Sequence, residues 1–350
     1  MGSLGGVVTS PYSTWIAAAF GMTALWALVV VVNKKILESV TPLAVNFLIR
    51  LVAIAGLLML TVPLTVFGLW SNGFGIDAES AGWIALSAVA TWLVAFNAYY
   101  YALRGARVAV VAPICSTDPI WTAFFAWLLL GSAFGAPTFV GMAVAMTGVA
   151  LISRWMGEGG AADGELAGAG ALAAAAHGDV LPDGRCAAPA PAARTGPPPA
   201  TKASLIGLAV LTAAGWGLGP VFIDQAATAY GRATASMMLL SQALGALMLG
   251  GVLLLRRSPL ACRPLTPATR RRVFWLIVLA GLLEAAVSVL FYLSIVALGP
   301  VLAMLIMATT PVFSIVFGVV LLGVRPGLRL TLAAVVTVAG VLIATLDGLA

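Results

Sequence analysis

Three ionisable residues lie well inside long apolar stretches of this sequence. Arg50, Asp118 and Glu284 are each flanked by runs rich in Val, Leu, Ala and Phe. A charged side chain in hydrocarbon costs roughly 2.5–3.5 kcal/mol on insertion scales, so such residues are expected to face a protein interior and to have a function. We therefore predict that all three face the inside of a helical bundle. The two carboxylates could also carry a coupling proton.

Each of these residues allows two interpretations. Arg50 is either an anchor for an anion or carboxylate, or a structural partner of Asp118 or of a backbone carbonyl. Asp118 precedes Pro119, and a proline can bend a helix because it leaves a carbonyl without its donor. Asp118 and Glu284 are either functional acids or hydrogen-bonded structural carboxyls.

Polar and aromatic residues accompany the charges in the same stretches. Trp and Tyr combine a large apolar area with one polar group, which suits a pocket for amphipathic organic molecules. Packing and anchoring at the membrane interface are the alternative roles. The run from Gly215 to Pro220 also predicts a bent or broken helix, and interrupted helices line midplane sites. The candidate substrate-binding residues are Trp26, Asn46, Arg50, Asn97, Tyr100, Thr117, Asp118, Trp121, Trp216, Gln242, Glu284, Tyr292 and Thr309.

Signatures of enzymes are missing from the sequence. It has no HExxH motif, no GxSxG elbow, no Walker-type phosphate loop and no paired aspartates at the spacing of membrane proteases. The single histidine, His177, and the cysteines Cys115, Cys186 and Cys262 show no metal or disulfide spacing. We expect no catalysis, no metal and no cofactor.

The amino-acid composition indicates whether water or lipid surrounds the chain. Apolar residues make up 62% of the sequence and charged residues 9%, against about 25% charged in an ordinary soluble domain. Apolar runs of roughly 20 residues recur, each long enough to cross about 30 Å of hydrocarbon as a helix. The sequence predicts an all-α, multi-pass protein of the cell membrane that contacts the lipid bilayer and no nucleic acid.

The apolar runs number ten, five on each side of a linker. Residues 157–202 are rich in Ala, Gly and Pro without apolar periodicity, which predicts a disordered segment. It separates a first unit, 12–152, from a second, 204–346. The predicted spans are 12–32, 42–69, 82–103, 108–130, 137–152, 204–223, 233–255, 273–296, 300–322 and 328–346.

The two units repeat each other. A shift of 192 residues places Trp83 on Trp275, Pro119 on Pro311 and Gly148 on Gly340 without a gap. We call two residues separated by this shift repeat mates. At a shift of 190, Trp26 falls on Trp216. The register indicates an internal duplication.

The odd number of spans in each unit has a consequence for topology. The second unit enters the membrane from the opposite side to the first. Such inverted repeats, related by a pseudo-two-fold axis in the membrane plane, are common among secondary transporters. Two equivalent halves of opposite orientation can build one pathway with two interchangeable gates.

Short motifs in both units carry a family resemblance. In the first unit they are Leu25-Trp26, Lys34-Lys35, Pro42, Arg50, Tyr100 to Leu103, Ala112-Pro113, Asp118-Pro119, Leu128 to Gly131, and Gly141 with Gly148; in the second they are Tyr292-Leu293, Thr309 to Phe313 and Leu321 to Gly323. On these residues each unit resembles the EamA domain of the drug/metabolite transporter superfamily. The resemblance implies a ten-helix carrier that moves a small organic metabolite by alternating access.

The sequence also departs from this pattern. The acidic residue that usually follows Leu-Leu-Gly is Ser132 in one unit and Val324 in the other, and the first span has no acidic residue. Asn33-Lys34-Lys35 resembles the triose-phosphate and nucleotide-sugar branch, but the last two spans have no Lys or Arg except Arg329.

The family resemblance, together with the aromatic residues in the spans, implies export of amino-acid-like or aromatic compounds. A phosphorylated-sugar or nucleotide-sugar exchanger is the alternative substrate class. A membrane scaffold, a receptor-like protein and a channel are the alternative kinds of protein. The oligomeric state stays open.

Basic residues concentrate in the loops that follow the odd-numbered spans, such as Lys34-Lys35 and the arginines from Arg256 to Arg272. Cytoplasmic loops carry an excess of Lys and Arg. The charges therefore place these loops and the linker in the cytoplasm and both termini outside, whereas many relatives are thought to keep both termini inside.

Overall fold

The computed structural model describes residues 12–37, 39–66, 74–105, 114–159, 202–231, 234–257, 260, 266–322 and 327–346. All the regular elements in these ranges are helices. The predicted linker, with His177 and Cys186, and the loop containing Cys262 lie outside the described residues apart from the linker's two ends. The helices are α1 (Tyr12–Leu37), α2 (Pro42–Val66), α3 (Ala78–Ala88), a π-helical segment (Val89–Ala95), α4 (Phe96–Gly105), α5 (Asp118–Leu130), α6 (Ala136–Gly159), α7 (Lys202–Tyr230), α8 (Ala235–Leu255), α9 (Pro267–Leu298), α10 (Pro300–Met307), α11 (Thr310–Leu322) and α12 (Leu328–Thr345).

Eight helical segments in the described part of the chain are long and apolar enough to cross a membrane. Two shorter apolar helices, Asp118–Leu130 and Ala136–Ile152, accompany them. The chain is therefore a multi-pass membrane protein built from helices.

Several helices extend beyond the predicted spans, because an apolar run marks the depth of lipid and not the end of a helix. α9 begins at Pro267, so Arg270 to Arg272, which were expected in a loop, form its first turns. The Thr266 side chain caps it by accepting a hydrogen bond from the Thr269 N–H at 3.3 Å. Asp77 caps α3 in the same way, and its hydrogen bond from the Ser80 N–H lowers the pKa of its carboxyl.

Two equivalent spans break at equivalent residues. The chain leaves α-helical geometry just before α5 and again between α10 and α11. The Thr117 hydroxyl donates to the Ile114 carbonyl at 2.7 Å, and the hydroxyl of its mate, Thr309, donates to the Ile306 carbonyl at 2.6 Å. Each threonine satisfies a carbonyl at the end of a helical turn. The duplication predicted from sequence is thus repeated in hydrogen-bonding detail.

The sequence predicts that the Gly215–Pro220 run bends or breaks its helix, and the structure shows no break. α7 is continuous from Lys202 to Tyr230 with Pro220 inside it. Its glycines instead allow close packing. A Cβ at Gly217 would lie 2.9 Å from the Asp118 carbonyl oxygen, and one at Gly215 would lie 2.8 Å from that of Ala90. Small residues let membrane helices approach at backbone distance.

The last helices of the two units, α6 and α12, pack against each other in reciprocal fashion. A Cβ at Gly148 would meet the backbone of Thr337, and one at Gly340 would meet the backbone of Ala145. Gly340 is the mate of Gly148, and Thr337 is the mate of Ala145. The contact is therefore the same patch used twice, as in a two-fold interface. Gly141 on α6 faces Ala344 on α12, and Gly148 faces Thr337. Residue numbers thus increase along α6 as those of the contacting residues decrease along α12, so the two mate helices run antiparallel.

Candidate functional site

A cavity of about 180 Å³ lies between the two units. Its walls come from α1, the end of α3, the π-helical segment, α4 and the start of α5 in the first unit. The second unit contributes α7, α8, α9 and the break between α10 and α11. Polar groups are few among apolar and aromatic side chains, as is usual in pockets for small molecules.

An ion pair joins the units beside this cavity. Nη2 of Arg50 lies 2.9 Å from Oε1 of Glu284, and only about 3% of each side chain is exposed. Nη1 of Arg50 donates to Oε1 of Gln242 at 2.7 Å. The guanidinium lies 4.0 Å from the centre of the Trp92 ring, in cation–π geometry. Arg50 is therefore held from three sides and does not pair with Asp118, which was one of the two structural partners predicted from sequence.

These four residues are two pairs of repeat mates. Arg50 and Gln242 are 192 positions apart, and so are Trp92 and Glu284. A residue that touches its own mate must lie close to the pseudo-two-fold axis. The charges are nevertheless asymmetric, because the first unit supplies the cation and the second supplies the anion.

Aromatic rings form a continuous part of the cavity wall. Phe96 stacks on Trp92, with ring centres 5.1 Å apart, and meets Trp216 edge-on at 5.3 Å and Trp26 edge-on at 6.4 Å. Tyr99 lies 5.1 Å from Trp216. All five residues line the cavity. Buried edge-to-face pairs of this kind add about 0.5–1.5 kcal/mol each beyond the area they bury.

The π-helical segment positions the polar side of this wall. The extra residue in the turn closes a hydrogen bond from the Phe96 N–H to the Thr91 carbonyl. Trp92 lies in this segment, and its Nε1 donates to the Ser241 hydroxyl at 3.1 Å. Single π turns in membrane and soluble helices are frequent at functional sites.

Four buried polar atoms of cavity-lining residues have no hydrogen-bond partner within the described residues. They are Oε2 of Glu284, Nε1 of Trp216, Oδ1 of Asn33 and the hydroxyl of Tyr292. The other oxygen of Glu284 is bound to Arg50, and the Gln242 amide nitrogen donates to Ser288 at 2.9 Å. A buried polar atom left unbonded costs about 1–3 kcal/mol, so a ligand that supplied partners would gain that free energy.

A family comparison agrees with this architecture. The model of the EamA-like transporter family matches residues 13–154 and again residues 203–346. The chain belongs to the EamA-like transporter family. The family is one of membrane transporters, and the two matched segments correspond to the two units of the duplication.

The EamA-like fold is also present among solved structures. One, titled only "Crystal structure of protein", superposes with a TM-score of 0.64 at 14% identity, over 95% of this chain and 98% of the other. At that identity the likeness shows the fold alone. No curated protein matches the chain.

Six of the thirteen residues predicted from sequence line the cavity of this EamA-like protein. They are Trp26, Asp118, Trp216, Gln242, Glu284 and Tyr292. A seventh, Arg50, lies behind the wall and contacts two of them.

The other six candidates lie elsewhere or have no described side chain. Asn97 donates to the Leu93 carbonyl of its own helix at 2.7 Å, and Trp121 packs against Phe125. The Thr117 and Thr309 hydroxyls donate to backbone carbonyls at the two helix breaks. Asn46 is buried one turn before Arg50. The side chain of Tyr100 is outside the described part of the structure. A sequence gives the depth of a residue in a span but not the direction in which it points.

Several cavity residues were not predicted from sequence. The polar ones include Thr91, Ser241 and Ser288, and the principal aromatic ones are Trp92 and Phe96. The register did contain a signal for Trp92, because it is the mate of Glu284 just as Gln242 is the mate of Arg50. No comparable signal marked the serines.

The described residues contain no group of three or more His, Cys, Asp or Glu side chains arranged to hold a metal ion. In the EamA-like cavity the Glu284 carboxylate is paired with Arg50, and indole, phenyl and hydroxyl groups make up much of the remaining lining. The arrangement suits reversible binding of an organic molecule.

Proposed function

We propose that this chain is a ten-span secondary carrier of the cell membrane. It moves a small organic metabolite by alternating access and exports amino-acid-like or aromatic compounds. The observation that carries the proposal is the cavity on the contact between two antiparallel mate units. A pathway placed there opens to opposite sides when the units rock, since inverted repeats exchange their conformations.

The wall of the cavity favours aromatic substrates over the alternative class. Trp26, Phe96 and Trp216 offer ring faces and edges, whereas a phosphorylated sugar or nucleotide sugar needs cations for its phosphates. No Lys or Arg is among the described residues that line the cavity. A scaffold or receptor-like protein is the alternative kind of protein.

Transport by the purified full-length chain in proteoliposomes tests the proposal. We expect exchange of labelled aromatic amino acids or amines across a panel that also contains glucose 6-phosphate and UDP-glucose. Ser288→Trp fills the cavity, because Ser288 lines it with 6% of its surface exposed, and should abolish exchange. Val320→Trp is the matched control, because Val320 is 71% exposed on the outer face of α11.

Two results would contradict the carrier assignment. One is folded protein that moves no member of the panel. The other is Ser288→Trp protein that exchanges substrate at the wild-type rate. Preferential exchange of the sugar phosphates would instead support the alternative substrate class.

A further inference from the structure

The charges around the cavity are unbalanced. Asp118 and Glu284 are the acidic residues among the described lining residues, and none of those lining residues is Lys, Arg or His. Glu284 has a counter-ion in Arg50. Asp118 forms no ion pair with any side chain that the structure describes. The cavity therefore presents one carboxylate more than the cations that balance it.

Among the described residues, Arg50 is the cation beside the cavity, and only its Nε lacks a hydrogen-bond partner. Both terminal nitrogens of Arg50 are engaged, one by Gln242 and the other by Glu284, and Trp92 covers the guanidinium face. Arg50 does not itself line the cavity. To bind the terminal nitrogens of Arg50, a carboxylate or phosphate on a substrate would have to displace Glu284 from a buried ion pair, which leaves that acid without its charge partner.

An ammonium group fits what the cavity does offer. It would balance Asp118, and the unbonded Oε2 of Glu284 is a further acceptor on a side chain that is 97% buried and lines the cavity. The electron-rich faces of Trp26, Phe96 and Trp216 attract cations as well as flat apolar groups. A carboxylate could accept a hydrogen bond from the Trp216 indole or the Tyr292 hydroxyl, but no described lining residue would balance its charge.

We propose that the cavity recognises an aromatic amine through its ammonium group, with Asp118 as the counter-ion. This inference rests on the proposed function and narrows its substrate class. Among aromatic compounds, those with an amine and no carboxylate bind best. Amino acids bind less well because their carboxylate finds no free cation, and aromatic acids bind least.

Four compounds that share the indole ring system and differ in the charge of the side chain test the preference for an ammonium group. The probes are tryptamine, a cation; tryptophol, which is neutral; tryptophan, a zwitterion; and indole-3-propionate, an anion. We expect the full-length protein in detergent to bind tryptamine at least tenfold more tightly than any of the other three by calorimetry. Exchange in proteoliposomes should follow the same order.

The variant Asp118→Asn removes the proposed counter-ion with little change of shape. It should bring the affinity for tryptamine to within about threefold of that for tryptophol, while tryptophol binding stays unchanged and shows that the cavity is intact. Asp118→Thr, which installs the residue found at the mate position Thr310, should behave in the same way.

Three results would overturn the inference. Tryptophan or indole-3-propionate could bind as tightly as tryptamine, or Asp118→Asn could keep the tenfold preference. In both cases transport of an indole by the wild-type chain would leave the carrier assignment standing. If none of the four indoles binds or is exchanged, the proposal of an aromatic substrate fails together with this one.

Discussion

At the residue scale, the ion pair of Arg50 and Glu284 is an asymmetric charge pair in a symmetric position. The mates of these residues are Gln242 and Trp92, which are neutral and contact the same guanidinium. Because the mate residues are neutral, the duplicated fold does not require charged residues at these positions. Burying two charges costs several kcal/mol per ion before their attraction is counted, so the pair is more readily explained by a role in positioning the cavity wall than by stability alone.

Breaking this pair from one side should be costly. Arg50→Gln leaves Glu284 buried without its cation, and we expect the free energy of unfolding to fall by about 3–5 kcal/mol. Glu284→Gln should have a similar effect. The double variant should recover much of the loss, because two neutral amides replace two charges. Equilibrium unfolding of detergent-solubilised protein by SDS measures each step of this double-mutant cycle.

Strictly additive losses in the cycle would show that the two side chains do not interact. The outcome expected is a coupling of at least about 1 kcal/mol, since residues in one buried network are seldom independent.

The sequence was sufficient to predict burial where the free-energy cost of placing a charge in lipid decides whether a side chain faces the protein interior. Arg50 and Glu284 lie inside the bundle because charge in lipid is expensive. The free-energy cost of charge in lipid does not say which residues these side chains contact. From sequence, Asp118 or a backbone carbonyl was the predicted structural partner of Arg50, whereas the packing of α2 against α9 places Glu284 there.

At the element scale, close approach of α6 and α12 holds the two units together. Glycines on each helix face backbone of the other at positions exchanged by the duplication. Helices in lipid gain no hydrophobic free energy by associating, so their stability depends on packing of small residues. This interface is therefore sensitive to any added side chain.

A leucine in this interface should force the helices apart. We expect Gly340→Leu to lower the free energy of unfolding by at least about 3 kcal/mol, because the new atoms would meet the Ala145 backbone. Gly148→Leu should cost a similar amount, since its surroundings are those of its mate. The same SDS titration measures both variants.

Gly251→Leu on α8 is the control, because a Cβ at Gly251 has no neighbouring heavy atom within 4 Å. It should cost little, and leucine is the better helix former. Equal losses at Gly340 and Gly251 would mean that the effect comes from the glycine backbone and not from the interface.

Element boundaries were predicted less well than element identity. The apolar runs placed most spans correctly, but caps such as Thr266 lie in polar sequence beyond the runs. Glycine and proline were also ambiguous. The Gly215–Pro220 run stays helical because neighbouring backbone fills the space beside its glycines, while Thr309-Thr310-Pro311 interrupts a helix in a less conspicuous sequence.

At the scale of the whole molecule, the duplication explains why the cavity lies where it does. Antiparallel mate units leave a shared space along their axis, and the cavity extends from there to Asn33 and Leu37 at the end of α1. That end carries the basic loops that the charge distribution places in the cytoplasm. The same cavity would open to the other face after the units rock.

Accessibility of Cys115 from each side of the membrane tests this account most directly. Cys115 lines the cavity and is 3% exposed, and Cys186→Ser with Cys262→Ser leaves it as the sole thiol of the chain. A membrane-impermeant maleimide, added to inside-out and right-side-out vesicles separately, reports which face reaches the cavity. The account predicts that Cys115 is labelled from both faces and that a transported substrate slows both reactions. Labelling from one face only, or labelling that substrate does not affect, would contradict it.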